Sequence, residues 1–171
     1  MIAGMTTLTF VHVVISLVAI FSGLIVVLGM ISGRKIEGLT GLFLATTVLT
    51  SVTGFFFPYH GVTPGVVVGI ISLIVLVVAI FARYSRHLVG GWRKTYVITS
   101  VLALYLNCFV FVVQLFEKAP ALHALLPKGS EPPFGIAQVP VMVVFIVLGI
   151  YAVKGYRAQT SGIRTQVSRA A

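Results

Sequence analysis

Polar and titratable side chains are so scarce in this chain that each one is informative. Its 171 residues include four histidines, three glutamates, no aspartate and one cysteine. His12 lies about one turn inside the first apolar run. Further along, Ser100, Ala103, Asn107, Phe111, Gln114 and Lys118 recur at spacings of three and four, which puts them on one face of a helix. Amide groups turned to hydrocarbon would lack hydrogen-bond partners, so this face is expected to point into the protein. Tyr59, His60, Glu117, His123 and Glu131 fall near the same end of the apolar segments. With His12, Asn107, Gln114 and Lys118 they make up a candidate polar pocket.

Two cofactor chemistries fit this set. His12 and His60 are the one histidine pair at a common depth that could serve as axial ligands of a b-type haem. A quinone asks for less, since one histidine and one amide suffice to bond its two oxygens. Against both stands a plain structural account, in which His12, Asn107 and Gln114 only bond neighbouring helices. Cys108 is alone, so neither a disulfide framework nor a thiolate metal site is available.

Catalytic signatures are missing. There is no Gly-rich phosphate loop, HExxH, GxSxG or pair of carboxylates at catalytic spacing. The residues therefore favour a protein without catalytic machinery, either an accessory subunit or a binder of a small ligand. A redox subunit carrying b-type haem or quinone is the alternative. A transporter or channel comes third: the chain shows neither internal repeats nor broken helices. Five helices enclose little, so a pore would have to form between protomers of a homo-oligomer or within a larger membrane complex.

The elements that must position these residues follow from composition. Apolar residues make up 58% and charged residues 9%, with a mean hydropathy of +1.11. A soluble domain carries about 25% charged residues. Apolar stretches over 8–31, 39–57, 64–82, 95–116 and 136–153 each approach the roughly 20 residues that cross a bilayer. They predict an all-α membrane protein, a bundle of five transmembrane helices within residues 1–156. Pro64 and Pro140 fall near helix starts, where a missing N–H costs nothing. The first stretch is too long for a signal-peptide core and has no basic residue before it, so it reads as a permanent helix. Pro120 followed by ALHALL suggests a short interfacial helix in the long 117–135 connection. The basic tail 157–171 lacks apolar periodicity and is expected to be disordered.

Charge sets the orientation. Ten of the twelve basic residues lie in the 32–38 and 83–94 connections and from Lys154 onward, leaving Lys118 and Lys128 on the other side. The positive-inside rule places the rich side in the cytoplasm and the N-terminus outside, in a cell inner membrane. Aromatic belts are expected from Phe57, Tyr59, Phe116 and Phe134 at outer ends, and from Tyr84, Trp92, Tyr96 and Tyr156 at inner ends. Topology also accounts for the net charge of +9 without a nucleic-acid partner. Packing between helices is expected along small-residue stripes: Ser16, Ala19 and Gly23; Thr47, Ser51 and Gly54; Gly61, Gly65, Gly69 and Ser72.

The segments LYLNCFVFVVQLFEKAPALHALLPKGSEPPF (104–134) and FLATTVLTSVTGFFFPYHGVTP (43–64) resemble a family of small bacterial inner-membrane proteins of unassigned activity. Asn107, Gln114, Lys118, Pro120 and the SEPPF run from Ser130 to Phe134 carry the likeness. The resemblance implies the five-helix architecture and a bacterial inner membrane, and supplies no catalytic residues.

Overall fold

The computed structural model describes residues 6–57, 64–118 and 134–170, with side chains over 6–57, 65–116 and 137–156. Among the described residues five α-helices follow one another: α1 (Thr7–Ile31), α2 (Glu37–Gly54), α3 (Pro64–Ile80), α4 (Trp92–Lys118) and α5 (Phe134–Ala170). A π-helical turn, Phe81–Ser85, extends α3. No strand occurs among the described residues.

Local chemistry explains the ends. Thr6 caps α1 by accepting the Thr9 N–H at 3.3 Å, which satisfies one of the unbonded donors of the first turn. At the other end Gly33 adopts φ 69° and returns its N–H to the Met30 carbonyl. That left-handed position suits glycine. α2 is rich in threonine, yet most of its hydroxyls bond back to their own helix. Thr46 donates to the Leu42 carbonyl, Thr47 to that of Phe43 and Thr53 to that of Leu49, each at 2.7 Å. Such local bonds let a hydroxyl-bearing helix sit among apolar neighbours.

Three boundaries depart from expectation. α2 stops at Gly54, so Phe55–Phe57 form a turn and not its last residues. α4 begins three residues early, at Trp92. α5 continues to Ala170, through the tail expected to be disordered. After Tyr156 the tail contains arginine, alanine and glutamine, which are good helix formers, and no proline to stop the helix. The expected interfacial helix of the 117–135 connection lies outside the described residues apart from its ends.

Among the described residues four segments are long and apolar enough to cross a membrane: Thr7–Ile31, Gly65–Ser85, Trp92–Phe116 and Ala137–Tyr156. The helices pack as a ring in the order α1, α2, α3, α4, α5, with α1 also meeting α4 across it. The α1 and α3 backbones stay apart, across the ring from one another, among the described residues. The tightest packing lies in the half where α1 ends. There Phe43, Leu104, Val27 and Leu76 are fully buried, and Gly23 admits the Phe43 ring and the Leu104 methyl against its backbone.

At that end the basic residues gather. Arg83, on the π-helical turn, is 8% exposed; it pairs with Glu37 at the start of α2 and donates to the Tyr96 hydroxyl at 3.4 Å. Its guanidinium also lies over the Tyr84 and Tyr96 rings, 5.6 and 5.4 Å from their centroids. Tyr96 and Tyr156 are 0% and 5% exposed, with ring centroids 6.2 Å apart. These two tyrosines are therefore core residues and not members of an interfacial belt. A buried guanidinium needs donors' partners and aromatic faces around it, and they supply both.

Candidate functional site

The opposite half of the bundle is hollow. α1, α2, α3 and α4 line a partly open cavity of about 570 Å³, within the range of small-molecule sites, about 300–1,000 Å³. The reason is visible in the sequence stripes. Ser16 of α1, the whole Thr47, Ser51 and Gly54 stripe of α2, and Gly65, Gly69 and Ser72 of α3 all line it. Small side chains permit close helix approach but do not enforce it. Here the α1 stripe splits: Gly23 is packed tightly, while Ser16 faces the void.

Helix direction sorts the lining by depth. Ser16, Thr47, Thr50, Ser72, Ala103 and Asn107 belong to the turns nearest the packed core and form the floor. Thr9, His12, Gly54, Phe55, Phe57, Gly65, Phe111, Gln114 and Leu115 belong to turns nearer the far end and form the upper wall. The floor is polar and the upper wall largely apolar.

His12 is held on the wall by a bond from its Nδ1 to the Thr53 hydroxyl at 2.8 Å. Thr53 has one proton and donates it to the Leu49 carbonyl, so its oxygen accepts from His12 Nδ1–H. In the neutral ring Nε2 is then the acceptor nitrogen. The Phe57 ring meets the imidazole edge-on, with centroids 5.1 Å apart, and Gly54 leaves room beside His12 Cε1. Replacing Thr53 by valine should lower the thermal midpoint modestly, corresponding to about 0.6 kcal/mol for an average interhelical bond in a membrane. An unchanged midpoint would mean that His12 is not anchored through Thr53.

Two floor groups are different in kind. Thr50 and Asn107, each 9% exposed, have a hydroxyl oxygen and an amide nitrogen, Nδ2, with no hydrogen-bond partner. Leaving a buried polar group unpaired costs about 1–3 kcal/mol. They stand on α2 and α4, and both residues line the cavity, but these two atoms themselves are covered by protein.

The fold therefore brings His12, Asn107 and Gln114 to one cavity. Asn107 is buried in its floor, while Gln114 is exposed on the upper wall. Glu117 and Lys118 end α4, but their side chains lie outside the described residues, as do Tyr59, His60, His123 and Glu131 altogether. The haem pair of His12 and His60 falls outside with His60. Among the described residues no group of three histidine, cysteine or acidic side chains is arranged to hold a metal ion.

Two residues that sequence reasoning passed over, Thr50 and Thr53, belong with the site, and a third, Gln138, is a buried polar group away from it. Thr50 follows Thr47 by three positions and shares its face, so helical spacing alone could have found it. Thr53, the partner of His12, gave no signal before α1 and α2 were docked. Gln138 of α5 is buried, donates from Nε2 to the Phe109 carbonyl of α4 at 2.9 Å, and stands outside the cavity lining. An amide inside an apolar segment was the available clue.

Comparison with protein-family models, with characterised proteins and with solved structures finds no match to this chain.

Proposed function

We propose that this protein is a five-span bacterial inner-membrane protein, N-terminus outside, that binds a small neutral molecule in the cavity between α1 and α4. The observation that carries the reading is the ligand-sized cavity itself, lined by His12, Ser72, Asn107 and Gln114 among mostly apolar side chains. No lysine, arginine, aspartate or glutamate lines that void among the described residues, which favours an uncharged occupant. Binding is favoured over catalysis because His12 is the one titratable side chain in the described lining. Ser16 and Ser51, the serine hydroxyls nearest His12 in sequence or across the α1–α2 seam, donate their protons to backbone carbonyls of their own helices.

For α2 as the fifth span, the support is its reach. Its 18 residues cover about 27 Å at 1.5 Å per residue. They run beside α1 from Glu37 at the basic end to Gly54 on the cavity wall. The resemblance of 43–64 and 104–134 to small bacterial inner-membrane proteins supports the location, and ten basic residues on one side support the orientation.

Native mass spectrometry of the full chain, released from mild detergent, tests the binding reading. The wild type is expected to carry an added neutral mass that is absent from the His12→Ala/Asn107→Leu double variant. Bare protein in both, with the double variant still folded, would remove the proposal.

A further inference from the structure

Resting on that binding reading, we infer that the cavity opens sideways into the bilayer, through a gap between the N-terminal half of α1 and the C-terminal half of α4, and takes its occupant from the lipid phase. The other seams around the cavity are closed. His12 bonds Thr53 across the α1–α2 seam. Between α2 and α3 the Phe55 ring lies against Gly69, where an added Cβ would come within 3.1 Å of it. α3 and α4 pack closely, and the lining side chains Val68, Leu106 and Val110 are not exposed. The α1–α4 seam changes along its length. Gly23 brings the two helices together, with Leu104 against its backbone. Phe111 and Leu115 follow Leu104 by seven and eleven residues, so they continue the face it turns to α1. On α1 the Gly23 face runs back through Ser16 and Thr9, with Val13 at its edge. Val13, Phe111 and Leu115 all line the cavity and are each more than a third exposed, whereas Ser72, Ala103 and Asn107 on its floor are buried. There the two helices have parted.

α5 leaves the gap uncovered. None of its described residues lines the cavity. In this half it is held to α4, by Gln138 on the Phe109 carbonyl and by Phe145 beside the Tyr105 ring, while Val139, Met142, Val143 and Val144 are exposed. Its close approach to α1 comes at the other end, at Gly155. The place and chemistry of the rim decide what can pass. Val13 lies within the apolar span Thr7–Ile31, and Phe111 and Leu115 within Trp92–Phe116, so the gap faces hydrocarbon. All three rim side chains are apolar. An ion is costly at that depth, and a strongly polar solute would lose its bonds to water on the way. Inside, the hydroxyls of Ser16, Thr47 and Ser51 are bonded to their own helices. Thr50 Oγ1 and Asn107 Nδ2 are covered by protein. The occupant is therefore a neutral, largely apolar molecule already dissolved in the bilayer.

The test is photolabelling of the full-length protein in lipid nanodiscs, irradiated immediately after mixing and mapped by peptide mass spectrometry. One probe is an apolar iodophenyl diazirine, which dissolves in the bilayer; the other is a glucosylated phenyl diazirine, which stays in water. The apolar probe is expected to label the buried floor around Ser72, Ala103 and Asn107 in the wild type, and the water-soluble probe to leave it unlabelled. Val13→Trp fills the gap from α1 and Leu115→Trp fills it from α4. Each should remove most of the floor labelling and leave labelling of lipid-facing Val143 on α5 unchanged. Both rim positions are exposed, and either variant carries the test if the other fails to fold. Floor labelling by the water-soluble probe, or floor labelling indifferent to both rim variants, would overturn the lateral route and leave the binding reading standing. A floor unlabelled by the apolar probe would also overturn the route. Joined with bare protein in the mass spectrum, that result would remove the binding reading too.

Discussion

Replacing Gly155 by alanine is expected to be among the most damaging single substitutions in this protein. A Cβ built on Gly155 would lie 2.0 Å from the Ile31 carbonyl oxygen, 2.7 Å from the Ile31 carbonyl carbon and 2.8 Å from the Met30 oxygen. All three are backbone atoms at the end of α1, so no side chain can rotate away. The last turns of α1 and α5 would have to separate, and Tyr156, buried next to the contact, would move with α5. Overpacking of side chains costs about 1–3 kcal/mol; a backbone collision should exceed that range. Gly149→Ala on the same helix is the control. Its Cβ would meet only a Val101 methyl at 3.6 Å, so the gain in helix propensity of up to about 1 kcal/mol should dominate. Thermal unfolding of both variants in one detergent decides the matter. Equal midpoints would mean that α1 and α5 do not meet at Gly155.

Gly23 carries the second large effect. An alanine there would place its Cβ 2.7 Å from Leu104 Cδ1 and 2.8 Å from two atoms of the Phe43 ring. Both side chains are fully buried and have little room to yield. A loss of about 1–3 kcal/mol is expected for Gly23→Ala. Phe43→Leu makes space at the same point, so the double variant should be more stable than the two single losses add up to. A coupling of about 0.5–3 kcal/mol is the usual size for residues in contact. Additive losses would separate Gly23 from Phe43 and undo the packing of α1 against α2 that closes the cavity floor.

Much of this architecture was legible before any packing was known. Apolar length marked every helix to within a few residues at most ends. The exceptions were those where polar but helix-competent residues continue a helix, as in the tail after Tyr156. Three- and four-residue spacing correctly grouped Asn107 and Gln114 on one face of α4, because the pitch of a helix is a local property. The scarcity of polar residues made His12 stand out for the same reason. A lone imidazole in an apolar helix is visible wherever that helix sits.

What faces what was decided by tertiary structure alone. Small residues satisfy two opposite demands, close backbone approach and empty space, and the sequence does not distinguish them. Gly23 and Gly155 serve the first, and so does Gly69, where an added Cβ would lie 3.1 Å from the Phe55 ring; Gly65 and Ser72 line the cavity. Tyr96 and Tyr156 have the side chains of a membrane interface, yet they are buried because Arg83 turns inward to meet them from the π-helical turn. Thr53 becomes the anchor of His12 only when α2 docks 41 residues away in the chain. Thr50 and Asn107 differ from their neighbours because of what they lack, a bonding partner, and that can be read only after every other donor has been assigned. Periodicity fixes the face of each helix, whereas the distance between faces depends on all the side chains that meet there.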